Sequence, residues 1–231
     1  YFSFSMSITT KYGIIIQART SSSRLPGKVL KNILGKPMLQ RQIERISNNI
    51  DIPLIVATSI EEGDDQIEFL CNKIGIKCFR GDLNNVVQRF LSCAKKYEFS
   101  HIIRVGGDDP LIDPFCCYEL MQLHKKTYKD FLYASNDDGW PYGCAAELIS
   151  IEALEKIIKS TNKDYYLEHT IPFMLDNPSN FNILRVEGPE NYQNQNLALS
   201  VDYIEDFLLV ERISKELLIH DQFFTMQQII N

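Results

Sequence analysis

The first 43 residues contain no aspartate and no glutamate, although the 231-residue chain carries 30 acidic side chains and a net charge of −6. This segment holds seven basic side chains instead: Lys11, Arg19, Arg24, Lys28, Lys31, Lys36 and Arg41. A protein that is acidic overall repels nucleic acid and anionic lipid, so we expect neither as a partner. The local cationic zone predicts a small anionic ligand, with a solvated charged face as the alternative reading.

Other absences narrow the class of protein. The six cysteines form no C-x-x-C pair and show no metal-ligand spacing with the four histidines. Most of them lie among apolar residues, as reduced thiols of a cytoplasmic protein do. No apolar run approaches the roughly 18 residues of a membrane helix, so no membrane segment is expected. The opening stretch, YFSFSMSITTKYG, lacks the features of a secretory signal. We therefore expect a cytoplasmic protein.

Strands and helices alternate along the first 135 residues. Apolar runs predict strands at 12–18, 53–59, 76–79, 101–107 and 130–135. Amphipathic patterns predict intervening helices at 37–48, 64–75, 83–97 and 114–126. This alternation predicts βαβ units, and therefore an α/β fold with a mostly parallel sheet that is flanked by helices.

The regular alternation of predicted strands and helices ends after residue 135. The remaining predicted elements are a loop, strand and helix within 136–157, a helix at 164–177 disturbed by Pro172, strands at 181–187 and 196–202, and a final helix at 203–218. We therefore divide the chain into an α/β core at 12–135, a small αβ insertion at 136–195, and a return to the core sheet with a C-terminal helix at 196–231. The insertion is the expected dimerisation surface, so we expect a homodimer.

The loop after the first predicted strand concentrates groups that bind phosphate. It does not contain G-x-x-x-x-G-K-[ST], the signature of Walker-type ATPases. It also does not contain G-x-G-x-x-G, the signature of dinucleotide-dependent dehydrogenases. The potential ligands of an anion here are Arg19, Ser21, Ser22, Ser23, Arg24 and Lys28. In an open α/β sheet this turn is the usual phosphate cradle, and guanidinium forks bind phosphate oxygens in pairs. The density of donors predicts a site for two or three phosphates.

Carboxylates follow other predicted strands at the same edge of the sheet. Asp108 comes directly after the strand at 101–107. Carboxylates beside phosphates need a cation between them, and Mg²⁺ takes one or two carboxylates together with phosphate oxygens. Asp202 is the candidate second ligand, although it could equally cap the helix that begins at Tyr203. We interpret Asp109 as a turn residue and Asp113 as a helix cap.

The stretch IIIQARTSSSRLPGKVLKNILGKPMLQRQIERI resembles the opening motif of the cytidylyltransferases of the spore-coat polysaccharide type. These are relatives of the acylneuraminate and 3-deoxy-manno-octulosonate cytidylyltransferases. Gln17 through Lys28 match the pattern Q-A-R-x-x-S-x-R-L-P-G-K. Further similar segments follow in family order: VATS (56–59), FRGDLNNVVQRF (79–90), IIRVGGDDPLIDP (102–114), EHT (168–170) and LSVDYIEDF (199–207).

The resemblance implies a Rossmann-like nucleotidyltransferase sheet and a reaction. Such enzymes transfer CMP from CTP to a sugar acid or related acidic metabolite and release pyrophosphate, with Mg²⁺, for surface polysaccharide synthesis. Arg19, Arg24 and Lys28 would hold the CTP phosphates and, with Asp108, form the catalytic set. The other nucleotide-binding positions would be Gln17, Ala18, Ser22, Ser23, Ala57, Thr58 and Arg89. The metal ligands would be Asp108 and Asp202, and the acceptor-binding candidates are Arg80, Arg104, Glu147 and His169. The core at 12–135 would bind the nucleotide, and the insertion at 136–195 would bind the acceptor.

Two positions depart from the family pattern. Ala145 stands where the family usually has an aspartate, and Asn85 stands where it tends to have an acid. These departures favour one alternative, a catalytically silent nucleotide-binding subunit. A second alternative is a nucleotide-sugar-dependent glycosyltransferase, but GGDDP at 106–110 lacks the D-x-D spacing that such enzymes usually show. His169 could instead be a hydrogen-bonded histidine of the core. Arg104 could instead form an ion pair with a neighbouring carboxylate.

Overall fold

The computed structural model describes residues 10–192, 197–219 and 224–231. Its strands are β1 (Tyr12–Gln17), β2 (Asn32–Ile33), β3 (Lys36–Pro37), β4 (Leu54–Ser59), β5 (Lys77–Gly81), β6 (His101–Gly106), β7 (Phe131–Tyr133), β8 (Glu147–Ser150) and β9 (Ile183–Arg185). Its α-helices are α1 (Met38–Ser47), α2 (Asp65–Lys73), α3 (Val86–Lys96), α4 (Pro114–Thr127), α5 (Ile151–Ser160), α6 (Asp164–Glu168), α7 (Thr170–Asp176), α8 (Ile204–Leu217) and α9 (Met226–Ile230).

Among the described residues, seven strands form one sheet in the order β5-β4-β1-β6-β8-β7-β9. The pairs β5–β4, β4–β1 and β1–β6 are parallel, whereas β8 runs antiparallel to both of its neighbours. The last pair, β7–β9, is parallel again. The mostly parallel α/β sheet that the sequence predicts is therefore confirmed, and the carboxyl ends of β5, β4, β1 and β6 share one edge.

The continuous apolar run of β1 reflects burial on both faces of the sheet. Ile14 and Ile16 pack into one core together with Ile43 of α1, while Ile15 packs into a second core with Phe90 of α3. All three isoleucines of this strand are fully buried. Successive side chains of a strand point to opposite faces, so helices on both sides are needed to cover such a run.

The predicted strand at 196–202 is wrong for the residues that the structure describes there, 197–202. This segment forms only an isolated bridge, between Ala198 and Tyr142. It does not return to the sheet, because β8 occupies the position beside β6. It lies instead along a loop at the carboxyl edge, where the Val201 N–H donates to the Asp108 carbonyl at 2.7 Å.

The segment 136–195 contributes directly to the main sheet. It supplies β8, which lies between β6 and β7, and it supplies the edge strand β9. The predicted helix at 164–177 is two helices, α6 and α7, and the break is at His169 rather than at Pro172. Pro172 lies in the first turn of α7, where a missing N–H costs no helical hydrogen bond.

The cysteines agree with the prediction of reduced thiols. All six are free, and all except Cys78 are buried. Within the described ranges, we find no helix of the length and apolar character that crossing a bilayer requires.

Candidate active site

The cationic loop after β1 is held in place by the carboxylate of Asp64. One oxygen of Asp64 accepts hydrogen bonds from the backbone N–H and the hydroxyl of Thr20, both at 2.7 Å. The other oxygen accepts from the backbone N–H and hydroxyl of Ser59, which ends β4. Burial acts to raise the pKa of Asp64, but the hydrogen bonds from Ser59 and Thr20 outweigh it and leave the pKa below its usual value. The loop is thus tied to the neighbouring strand in the sheet.

The end of the same loop requires the conformational freedom of glycine. Gly27 has φ of +67°, in the left-handed region, and its N–H donates to the Thr20 carbonyl at 2.9 Å. A short 3-10 helix, Lys28–Leu30, begins directly after this glycine. Lys28 is buried, with its side chain only 7% exposed.

The ammonium group of Lys28 joins the two carboxylates that the sequence predicts as metal ligands. Its Nζ lies 3.0 Å from Asp108 Oδ2 and 3.1 Å from Asp202 Oδ1, and it also donates to the Val201 carbonyl at 2.6 Å. Tyr203, not Asp202, is the N-cap of α8, and Asp206 completes its capping box. The alternative interpretation of Asp202 as a helix cap is therefore wrong.

The two arginines of the loop face a cleft of about 250 Å³. Arg24 Nη2 lies 2.6 Å from Asp202 Oδ1, and Arg19 Nη2 lies 3.2 Å from Glu168 Oε1. These ion pairs leave the arginine side chains 50% and 35% exposed, respectively. The guanidinium groups can therefore exchange these carboxylates for phosphate oxygens without unfolding the loop.

The arrangement suits a metal that is shared with a phosphate substrate. Asp108 and Asp202 converge on one point, which the single charge of Lys28 occupies. Across the described residues, no group of three or more His, Cys, Asp or Glu side chains is placed to hold a metal by itself. Mg²⁺ characteristically takes one or two carboxylates and completes its shell with phosphate oxygens and water. The donor set therefore fits Mg²⁺ bound together with a nucleotide.

A second cavity, of about 370 Å³, adjoins the cleft and shares Arg104, Gly106 and Asp108 with it. Arg104 on β6 pairs in register with Glu147 on β8, and their side chains form an ion pair at 2.9 Å. This confirms a carboxylate partner for Arg104. Burial raises the pKa of Glu147, and the charge of Arg104 opposes that rise. A bound molecule in this cavity would lie beside the arginine-lined cleft on its β6–β8 side.

Asp109 is a site residue that the sequence interpretation missed. It occupies a turn, as predicted, and its N–H donates to the Gly106 carbonyl at 3.2 Å. It also lines the second cavity. Burial and the adjacent charge of Asp108 raise the pKa of Asp109 to about 8. The signal in the sequence was the pair of neighbouring carboxylates, only one of which was assigned to the site.

The structure brings most of the predicted site residues together. The cleft is lined by Gln17, Arg19, Ser22, Ser23, Arg24, Lys28, Arg104, Asp108 and His169. His169 is exposed there, so its alternative interpretation as a core histidine is wrong. Ala18, Ala57, Thr58 and Arg89 are buried at the carboxyl edges of the strands or behind them.

Arg80 lines neither cavity among the described residues. Its guanidinium forms ion pairs with Asp65 and Glu68 of α2 and donates to the Ser59 carbonyl at 2.9 Å. These contacts tie β5 to α2, so the geometry gives no support to Arg80 as an acceptor ligand. Asn85, one of the two departures from the family pattern, is the N-cap of α3 and accepts from the Gln88 N–H. The other departure, Ala145, lines the second cavity.

A cationic turn after the first strand, and two carboxylates that meet at Lys28 beneath it, are the features expected of a nucleotidyltransferase site. The family model described as cytidylyltransferase matches residues 13–223. The chain belongs to the cytidylyltransferase family and is a CTP-dependent nucleotidyltransferase.

Individual relatives agree with this assignment. The chain is 32% identical over 199 residues to the spore coat polysaccharide biosynthesis protein SpsF of Bacillus subtilis, covering 84% of this chain and 82% of that protein. It superposes on a cytidylyltransferase of Leptospira borgpetersenii with a TM-score of 0.89 and 28% identity, over 96% of this chain and 93% of the other. A CMP:2-keto-3-deoxy-manno-octonic acid synthetase complexed with CTP shares the fold, with a TM-score of 0.69 and 20% identity over 90% of this chain and 99% of the other.

Proposed function

We propose that this protein transfers CMP from CTP to a hydroxyl group of a sugar acid or related acidic metabolite and releases pyrophosphate, for the synthesis of a surface polysaccharide. The observation that carries the proposal is the convergence of Asp108 and Asp202 on Lys28 at the base of the cationic loop. The names of two similar proteins support it. One is a spore coat polysaccharide biosynthesis protein, and the other is a CMP-sugar acid synthetase.

The charged residues at the cleft would have different roles in this reaction. Arg19 and Arg24 bind the outer phosphates of CTP from the open side of the cleft, while Lys28 lies beneath them as a fixed, buried charge. Asp108 and Asp202 would hold Mg²⁺, which supplies a charge that stabilises the phosphates as pyrophosphate leaves. The protein thus positions the α-phosphorus and surrounds it with preorganised positive charge.

The second cavity would hold the acceptor. It opens onto Asp108, and Arg104 and Glu147 lie on its wall. An acceptor hydroxyl placed there would approach the α-phosphorus from the side opposite to the leaving pyrophosphate, as in-line displacement requires. We propose His169 as a further acceptor contact, because it is exposed in the cleft beside Arg19 and Glu168. A homodimer and a cytoplasmic location stay predictions from the sequence.

The experiment that tests the proposal follows pyrophosphate release from each nucleoside triphosphate in the presence of Mg²⁺ and a panel of sugar acids. We expect release with CTP, dependent on an acceptor, and little with ATP, GTP or UTP. If calorimetry shows that CTP binds, but no combination of nucleotide and acceptor releases pyrophosphate, the result would favour a catalytically silent nucleotide-binding subunit. Acceptor-independent release, or release with every nucleotide, would contradict the proposal.

A further inference from the structure

Gln42 is a fully buried residue of α1 whose amide group donates to two carbonyls of one turn. Its Nε2 donates to the Gly106 carbonyl at 2.6 Å and to the Asp109 carbonyl at 2.8 Å. Because both partners are acceptors, the nitrogen of the amide faces them and not its oxygen. The turn at 106–109, which we call the Asp108 turn, is therefore held at both ends by one side chain.

The oxygen of the same amide is buried and has no hydrogen-bond partner among the described residues. A buried carbonyl without a partner costs free energy. An apolar side chain of similar length, such as methionine, would fill the same position without this cost. Burial alone therefore does not explain the amide of Gln42, whereas its two N–H donors do.

Other hydrogen bonds fix the middle of the Asp108 turn. The Gly107 N–H donates to the Gln17 carbonyl at 2.8 Å. A Cβ atom at Gly107 would lie 2.7 Å from that same carbonyl oxygen, so the turn packs directly against the end of β1. The Asp108 carbonyl accepts from the Val201 N–H at 2.7 Å. Gln42 adds bonds to the residues immediately before and after this pair.

The two carbonyls that Gln42 contacts also have backbone partners. The Gly106 carbonyl accepts from the Asp109 N–H at 3.2 Å, and the Asp109 carbonyl accepts from the Ile112 N–H at 3.0 Å. Removing the amide donors of Gln42 therefore leaves neither carbonyl without a hydrogen bond. We expect the turn to become less precisely placed, and not to unfold, when Gln42 is replaced.

Gln42 and Lys28 hold Asp108 in two different ways. Lys28 Nζ lies 3.0 Å from the Asp108 carboxylate, whereas Gln42 bonds the backbone on either side of this residue. Lys28 belongs to the cationic loop, and α1 follows that loop through the short antiparallel pair of β2 and β3. One continuous segment, 28–42, therefore supports both the side chain and the backbone of Asp108.

Resting on the proposed function, we propose that Gln42 is a positioning residue, which fixes the Asp108 turn and thereby the place where the Asp108 carboxylate would bind Mg²⁺. It acts through the backbone, because among the described residues its side chain lines neither of the two cavities. Groups that orient a metal ligand typically change metal affinity or activity by about 10- to 100-fold when they are removed. Gln42 should therefore affect how strongly Mg²⁺ acts on the protein, and not only how stable the protein is.

The test compares the wild-type protein with Gln42→Met, which keeps the length of the side chain but has no N–H donor. Calorimetry measures the CTP affinity with Mg²⁺ and with EDTA, and kinetics with the panel of sugar acids measures pyrophosphate release as the Mg²⁺ concentration varies. In Gln42→Met we expect the gain in CTP affinity from Mg²⁺ to fall by about 10-fold, and the Mg²⁺ concentration for half-maximal release to rise by a similar factor. The affinity in EDTA should change by less than about threefold, since the arginines of the loop remain.

Ile46→Ala is the matched control. Ile46 lies about one helical turn after Gln42 on α1, and its apolar side chain is fully buried in the core. Its truncation should lower the melting temperature at least as much as Gln42→Met does, but it should leave the response to Mg²⁺ unchanged. If the methionine variant does not fold, Gln42→Asn decides the question, because it keeps the amide on a stem too short to reach both carbonyls and should shift the Mg²⁺ response in the same direction.

A folded Gln42→Met protein with the wild-type response to Mg²⁺ would overturn the positioning role alone. Equal shifts in Gln42→Met and Ile46→Ala would also overturn it, because they would trace the effect to lost stability. A wild-type protein that releases no pyrophosphate with any acceptor would contradict the proposed function, while calorimetry would still test Gln42. A CTP affinity of the wild type that does not depend on Mg²⁺ would overturn this inference whatever the turnover.

Discussion

Lys28 Nζ lies 3.0 Å from Asp108 Oδ2, although 80 residues separate the two in the chain. The same ammonium also contacts Asp202, so one buried positive charge is shared by two carboxylates. Like charges this close repel unless a cation lies between them. Lys28 therefore holds together the two carboxylates that we propose as ligands of a phosphate-bound Mg²⁺.

We expect Asp108→Asn to reduce turnover by about 100-fold or more, because the amide cannot supply the negative charge that a metal requires. CTP binding should fall much less, since the arginines of the loop remain. Steady-state kinetics and calorimetry check both parts. The matched control is Asp113→Asn, because Asp113 caps α4 through the Phe115 N–H and asparagine is an equally good cap. Turnover of Asp108→Asn at the wild-type level would remove Asp108 from the metal site.

Lys28→Met should make the protein more responsive to Mg²⁺. Loss of the ammonium leaves Asp108 facing Asp202, which keeps its ion pair with Arg24, and we expect a destabilisation of about 2 kcal/mol, limited also by the 39% exposure of Asp108. Mg²⁺ should then raise the melting temperature of the variant more than that of the wild type. Thermal melts with and without Mg²⁺ measure this difference. An equal rise in the double variant Lys28→Met/Asp202→Asn would show that the ion binds elsewhere.

Gly143→Ala should disturb the site through the backbone. Gly143 has φ of +84°, and a Cβ atom there would lie 2.4 Å from the Ser200 nitrogen. We expect a loss of about 3 kcal/mol or more, with reduced turnover, because the segment that carries Asp202 must shift. Urea unfolding and activity assays measure the two effects.

Gly75→Ala is the control for Gly143→Ala, because it introduces the same kind of backbone strain without a steric clash. Gly75 has φ of +74°, but no atom of the described residues lies within 4 Å of an added Cβ. Its substitution should cost only about 1 kcal/mol and leave turnover unchanged. Similar losses for the two variants would mean that the Ser200 contact is unimportant.

Stability should fall in mild acid because of two adjacent histidines. The rings of His101 and His124 are 4.0 Å apart, and His124 Nδ1 shares a 2.7 Å hydrogen bond with the Tyr12 hydroxyl. Burial and then the proximity of His124 lower the pKa of His101 to about 4 from 6.5. The unfolded chain therefore binds protons that the folded chain does not. The stabilisation that comes from the low pKa of His101 is complete above 6.5, the pKa of this group in the unfolded chain. It is lost as the pH falls from 6.5 toward about 4.

Urea unfolding between about pH 7 and pH 5 measures this effect, with a slope that approaches about 1.4 kcal/mol per pH unit for one proton. His101→Gln cannot take up the proton and should show a shallower slope. An unchanged slope in this variant would assign the acid sensitivity to other groups.

Local patterns were sufficient for most of the fold. The run of isoleucines in β1 and the spacing of apolar residues in α1 predict their elements because burial of those faces is required wherever they pack. The segment 197–202 has an equally apolar, strand-like pattern, but it forms no strand. Its backbone bonds go to Tyr142 and Asp108, since β8 already pairs with β6. Competition for a position in the sheet cannot be read from a single segment.

By itself, the sequence determined the α/β alternation, the cationic loop after β1 and the carboxylate after β6, because each depends on residues that are neighbours in the chain. Only the tertiary structure decided that Asp202 meets Lys28, 174 residues away, rather than capping α8. It alone also placed Arg80 against α2, and it left two donors of Arg89 without a hydrogen-bond partner among the residues that the structure describes. Contacts of this kind depend on the order of strands and on which side chains compete for each charge. Those are properties of the packed molecule and not of any local pattern.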